Sequence, residues 1–180
     1  MKTHVALLRG INVSGKKMVK MEHLRGIFES LDYQNVKTYI QSGNVIFDTK
    51  KEAAELICDK IEKELARVLG FDVPVIIRTL EELEDSIKNN PFEGADSSEK
   101  DGYTTFLSSK PSDQAIDKIA AYKSDTDELR IVNREVYLLC RHKGYGETIY
   151  SNTFLEKKLG VSATTRNWKT INAIINMANN

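Results

Sequence analysis

Thr38-Tyr39-Ile40-Gln41-Ser42-Gly43-Asn44-Val45-Ile46-Phe47 is the stretch whose reading decides the fold. β-Branched and aromatic residues flank a polar core of Gln41-Ser42-Gly43-Asn44, the pattern of two strand segments joined by a tight turn. Working outward from it, Thr3–Arg9 is apolar and stops at Gly10, which predicts a buried first strand. Leu24, Ile27, Phe28 and Leu31 recur at helical spacing and predict a helix over Val19–Leu31. Asn35–Ile40 and Asn44–Phe47 are the second and third strands. Lys51–Leu69 is a long amphipathic helix closed by Gly70. Val73–Arg78 follows as an edge strand with Pro74 near its start, and Thr79 with Glu82 forms a capping box for a short helix.

The polar stretch 93–102 reads as a linker. After it the order of elements restarts. Strands are expected over Tyr103–Leu107, Glu128–Val132, Glu135–Arg141 and Val161–Arg166, and helices over Ser112–Tyr122, Ser151–Leu159 and Trp168–Ala178. The restart predicts an α+β protein made of duplicated ferredoxin-like, split β-α-β units. Each is a mainly antiparallel sheet with helices on one face. Residues 1–92 form the first unit, 93–102 the linker and 103–180 the second unit with its C-terminal helix.

Composition limits the function classes. The 26 basic and 26 acidic residues balance, so no global field recruits nucleic acid or anionic lipid. No apolar run reaches the length of about 20 residues that a membrane helix needs, so no membrane partner is expected. The start lacks the apolar run of a signal peptide, and Cys58 and Cys140 lie alone in apolar segments as reduced thiols. A cytoplasmic location is the expectation. His4, His23 and His142 show no ligand spacing with either cysteine, so no metal and no cofactor are expected.

In a split β-α-β unit the end of strand one, the end of strand two and the start of strand three share one edge. Arg9, Asn12, Gln41, Ser42, Gly43 and Asn44 are therefore the first candidates for ligand binding. They sit by the amino end of the first helix, where N–H groups favour an anion. The same residues also suit plain turn chemistry, since Asn and Ser in turns bond their own backbone. Gly10–Lys17 nearly spells a phosphate loop, but Lys17 occupies the place of the magnesium-binding hydroxyl. Gly144-Tyr145-Gly146 reads as a plain loop before a helix. Arg166 and Asn167, at the amino end of the last helix, are further ligand candidates, and Trp168 is expected in the core.

Three motifs taken together carry a resemblance. Leu8-Arg9-Gly10-Ile11-Asn12-Val13, then Thr38–Val45, then Thr164-Thr165-Arg166-Asn167-Trp168-Lys169-Thr170 resemble a family of small, mostly bacterial proteins known as domain-of-unknown-function family 1697. Asn90-Pro91-Phe92 and Gly144-Tyr145-Gly146 are similar to it as well. Where the resemblance implies a Gly-Gly pair after Asn12, this chain has Ser14-Gly15. The resemblance implies the duplicated ferredoxin-like fold and draws attention to Arg9, Asn12, Gln41, Ser42, Asn44, Arg166, Asn167 and Thr170. It implies no activity, cofactor or partner.

The reading that follows is a binding module for an anionic, nucleotide-like or nucleic-acid ligand at the edge formed by Arg9–Asn12 and Gln41–Asn44. The alternatives are an enzyme acting on a phosphate- or carboxylate-bearing small molecule and a structural or interaction protein. The residues leave catalytic groups and oligomeric state unknown.

Overall fold

The computed structural model describes residues 1–50, 52–92, 101–141 and 144–180. Two compact units divide the chain: Met1–Glu84 with Ile174–Asn180, and Asp85–Ala173. The expected break at residues 93–102 differs from this division. Residues 93–100 lie outside the described part, and Gly102 opens a strand where a linker end was expected.

In the first unit the apolar run of Lys2–Leu8 forms β1. Val5, Ala6, Leu7 and Leu8 are all buried, as only a central strand allows. Then come α1 (Met21–Glu29), β2 (Gln34–Tyr39), β3 (Asn44–Thr49), α2 (Ala54–Leu69), β4 (Val75–Thr79) and α3 (Leu80–Lys88). The sheet order is β2-β3-β1-β4, every pairing antiparallel. Leu24, Ile27 and Phe28 of α1 and Ile57, Ile61 and Leu65 of α2 pack with Ala6, Leu8, Val45, Phe47, Val75 and Ile77 from one face of the sheet. The opposite face, with Val5, Leu7, Ile46, Ile76 and Arg78, is buried too.

Local signals set the boundaries. Gly70 closes α2 in the left-handed conformation, φ 75°, where a side chain is disfavoured. The Val75 amide at the start of the edge strand β4 donates to the Glu62 carboxylate at 2.8 Å. Thr79 and Glu82 exchange capping-box hydrogen bonds at 2.8 and 3.2 Å.

The second unit has β5 (Gly102–Leu107), α4 (Asp113–Ile119), β6 (Asp127–Val132), β7 (Glu135–Cys140), a single 3-10 turn at Tyr145–Glu147, α5 (Asn152–Leu159), β8 (Ala163–Asn167) and α6 (Trp168–Asn179). Its sheet order is β6-β7-β5-β8, again antiparallel throughout. The described residues thus form an α+β chain with two four-stranded antiparallel sheets and six α-helices. None of these helices is long and apolar enough to cross a membrane.

Gly102 and Trp168 fit each other. A Cβ on Gly102 would lie 2.0 Å from Trp168 Cε3, so the indole lies over bare backbone. Its Nε1 donates to Thr104 Oγ1 at 3.1 Å. Gly102→Ala must displace the ring and is expected to cost about 1–3 kcal/mol. Trp168→Ala is expected to cost roughly 3–5 kcal/mol. The double variant should cost less than the sum, because both changes act on one contact. Urea denaturation measures all three, and a Gly102→Ala loss within about 0.5 kcal/mol contradicts the packing.

His4 is a second probe. It is buried, stacks on Phe47 at 5.8 Å, and Nδ1 donates to the Lys2 carbonyl at 2.9 Å. Burial lowers its pKa below the ordinary 6.5, against the raising effect of that hydrogen bond. The unfolded chain then binds the extra proton first. The stability contribution is complete above about pH 6.5 and is lost as pH falls toward the folded value. Unfolding free energy measured from pH 7 to 5 should decline, and His4→Phe should flatten that decline.

Candidate functional site

Two loops meet at one edge of the first sheet. As β1 ends, the Leu8 amide donates to the Gly43 carbonyl at 2.8 Å and the Arg9 amide to the Pro74 carbonyl at 2.9 Å. The chain crosses the exposed Gly10 and returns to the core at Ile11. Residues 12–17 then fold into a small hairpin. The Asn12 amide donates to the Lys17 carbonyl at 3.1 Å and the Lys16 amide to the Val13 carbonyl at 2.9 Å. Ser14 and Gly15 at its tip both have positive φ, 51° and 71°, as a two-residue primed turn demands. The near-phosphate-loop sequence is therefore a hairpin. Lys17 is drawn away from any such role: its ammonium donates to the Asp72 carbonyl at 2.6 Å and lies over the Phe71 ring.

The Asn12 side chain ties the hairpin down. Its Oδ1 accepts from the Val19 amide at 2.7 Å. Its Nδ2 donates to the Val19 carbonyl at 3.0 Å and to the Gln41 carbonyl at 2.9 Å. The second loop is built the same way. Asn44 is fully buried, and its Nδ2 donates to the Tyr39 carbonyl and to Ser42 Oγ, both at 3.0 Å. Gly43 has φ 80°, and a Cβ there would come within 2.8 Å of both Leu8 and Ile11. Only glycine lets the turn lie against the end of β1.

The structure brings Asn12, Gln41, Ser42, Gly43 and Asn44 to one edge, with Arg9 half-buried beside them. It differs from the sequence expectation in direction. The half-buried Asn12 uses its side-chain amide on the backbone of Val19 and Gln41, and the buried Asn44 uses its own on Tyr39 and Ser42, so both serve the turn chemistry and not a ligand. Competition from orphaned loop backbone groups is the reason, since buried polar groups must find partners. What the edge presents to solvent is Gly10, Ser14, Lys16, Gln41 and Ser42, among the apolar side chains of Val13, Met18 and Ile40.

Ile40 is the feature that sequence reasoning missed. Its φ is 49°, left-handed backbone that a β-branched residue adopts only under strain, and it is 48 % exposed. Nothing in a β-favouring Tyr-Ile pair signals this; closure of the turn on Asn44 imposes it.

Arg166 and Asn167 belong to the second unit. Arg166 is buried, and its Nη1 donates to Thr164 Oγ1 at 2.9 Å and to the Thr165 carbonyl at 2.8 Å. Burial pulls the guanidinium down to about 10, so it stays charged at neutral pH. Asn167 Oδ1 accepts from the Thr170 amide at 2.7 Å and caps α6. Both differ from the expected frame for an anion.

Tyr145 is also held internally. It packs on Tyr103 at 5.3 Å, and its hydroxyl accepts from the Asn152 amide at 3.0 Å. Cys58 and Cys140 are free thiols that burial pushes up to about 12 and about 11, far from a reactive thiolate. His142 lies outside the described residues. Among the described residues no group of three or more His, Cys, Asp and Glu gathers to hold a metal.

The family model described as "Protein of unknown function (DUF1697)" matches residues 1–137. No curated protein matches the chain. Among solved structures, the conserved bacterial protein SP0830 from Streptococcus pneumoniae is similar over 98 % of each chain, at 24 % identity and a TM-score of 0.74, which shows a shared fold. With three quarters of its length under the family model and all its strands of the first unit included, the chain belongs to the DUF1697 family.

Proposed function

We propose that this chain is a cytoplasmic binding module for a phosphate-bearing ligand, a nucleotide or a nucleic-acid backbone. It would hold the ligand at the edge that exposes Gly10, Lys16, Gln41 and Ser42. The observation that carries this reading is the strain at Ile40. A β-branched residue in left-handed backbone costs on the order of 1–3 kcal/mol, and such strain persists at sites where shape matters for binding. Here it shapes the turn that displays Gln41 and Ser42, and Asn12 locks that turn to the lysine-bearing hairpin.

Two further observations narrow the reading. Residues 9–17 and 40–44 contain Arg9, Lys16 and Lys17 and no carboxylate, histidine or cysteine. That composition favours an anion and offers no general base, so binding is preferred over catalysis. The sheet face opposite α1 and α2 is buried at Val5, Leu7, Ile46 and Ile76. Bases cannot stack on it as they do on the open sheets of RNA modules, which leaves the edge.

The two units also support descent from one ferredoxin-like ancestor. Strand orders correspond, and so do small contacts. Val75 on Glu62 is repeated by Ala163 on Glu156, Leu8 on Gly43 by Leu107 on Arg134, and Gly70 by Gly160. Equivalent positions recur in register, with Val5 beside Arg78 and Thr104 beside Arg166.

Thermal unfolding with phosphate, nucleotides and a short single-stranded RNA tests the binding reading. At about tenfold over Kd a ligand that binds only the folded state should raise Tm by roughly 3–5 °C. Lys16→Glu with Gln41→Ala should keep stability within about 0.5 kcal/mol and lose that rise. Asn12→Ala should lose both the rise and roughly 1–3 kcal/mol of stability. A wild type that responds to none of these probes at millimolar levels, or an equal response in the Lys16/Gln41 variant, contradicts the proposal.

A further inference from the structure

The edge of the first unit carries apolar side chains that a phosphate alone would not use. Val13 is 57 %, Met18 64 % and Ile40 48 % exposed, three of the seven large apolar side chains left open among the described residues. All three flank the Asn12 joint. Val13 follows Asn12, Met18 precedes Val19 and Ile40 precedes Gln41, and the Asn12 side chain bonds both Val19 and Gln41. Single exposed apolar residues are ordinary on a surface. Three tied to one joint and rimmed by polar residues fit an interaction surface. Ile40 adds to this, since its left-handed backbone, φ 49°, goes with an apolar side chain left in water.

The charge around them has one sign in excess. Residues 9–20 contain Arg9, Lys16, Lys17 and Lys20 and no carboxylate, and residues 40–44 carry no charge. Lys16 stands opposite Val13 across the hairpin turn. Lys16 and Lys20 are exposed, and among the described residues neither ammonium has an ion pair or a hydrogen bond. Lys17 is held on the Asp72 carbonyl and over the Phe71 ring, with its charge still at the surface. Asp72, next to Lys17, and Glu22, in the first turn of α1, are exposed carboxylates at this end and leave it net positive. This combination selects the partner. Protein interfaces are poor in lysine. An anionic bilayer attracts lysines and takes apolar side chains at its headgroup boundary.

We infer that this edge docks on an anionic phospholipid surface, with Val13, Met18 and Ile40 entering the headgroup boundary and Lys16 and Lys20 against the lipid phosphates. The inference rests on the phosphate-binding reading of the same edge and names its partner as a lipid surface. The balanced charge of the whole chain does not oppose it, because the attraction acts only within a Debye length, about 8 Å at physiological salt.

Flotation of the full chain with vesicles tests it. One set of vesicles is phosphatidylcholine alone, the other a mixture with phosphatidylglycerol. The chain should float with the mixture, not with phosphatidylcholine alone, and should come off at high salt. Lys16→Gln with Lys20→Gln should weaken binding roughly 25-fold, since each lysine at such a surface counts for about fivefold. Val13→Ser with Met18→Ser should keep Tm within about 2 °C and keep any response to inorganic phosphate, yet weaken vesicle binding at least about tenfold. Equal flotation of the Val13/Met18 variant overturns the inference, and so does flotation with phosphatidylcholine alone. A chain that responds to phosphate or nucleotides but never floats overturns the docking and leaves the phosphate reading standing. Flotation by a chain that ignores those soluble probes supports the docking while the soluble-ligand reading fails. A chain that ignores vesicles and soluble probes alike overturns both and leaves the patch to a protein contact.

Discussion

The side-chain amide of Asn12 is the joint on which the candidate edge depends. One planar group with one acceptor and two donors holds both backbone groups of Val19 and reaches across to Gln41. It replaces three hydrogen bonds that two loops of irregular backbone would otherwise seek from water. The hairpin at 12–17 has its own cross-links but no sheet to lean on. Without Asn12 it would be tethered through Ile11 and the Lys17 contact with Asp72. With it, two loops separated by a helix and a strand are joined into one border.

That border is where the proposed ligand would bind. Both faces of the sheet are buried, one under α1 and α2 and the other with Val5, Leu7, Ile46 and Ile76 closed to solvent. Under that proposal recognition falls to strand ends and loop tips, where backbone strain is tolerated if the surroundings over-determine the geometry. Gly43 contributes by its lack of a side chain, since Leu8 and Ile11 fill the space where a Cβ would be. The motif Gln-Ser-Gly-Asn is thus half scaffold and half display: Gly43 and Asn44 face inward, while Gln41 and Ser42 face solvent.

Much of this was legible in the sequence because local physics decides it. The buried run of β1, the helical spacing of Leu24, Ile27 and Phe28, the glycine stop at Gly70 and the Thr79–Glu82 box each act over a few residues. The strand edge that joins residues 9–12 to 41–44 followed from topology. Side-chain direction did not. Whether an asparagine in a turn faces solvent depends on which backbone groups its neighbours leave unpaired, and that is a three-dimensional property. Gly102 was illegible for a similar reason. Beside a polar run it reads as linker, and only the indole of Trp168, 66 positions later, explains why it must be glycine in a strand. Ile40 likewise follows from tertiary closure and leaves no mark in composition or spacing.

Amide hydrogen exchange at Val19 tests the central claim most directly, because its acceptor is the Asn12 side chain and not a secondary-structure carbonyl. If Asn12 makes the edge rigid, Val19 exchanges far more slowly than the amides of the exposed residues Ser14 and Gly15. That protection should vanish in Asn12→Ala while the amides of Val5 to Leu8 stay protected. Exchange of Val19 in the wild type at the rate of an open loop would contradict the account.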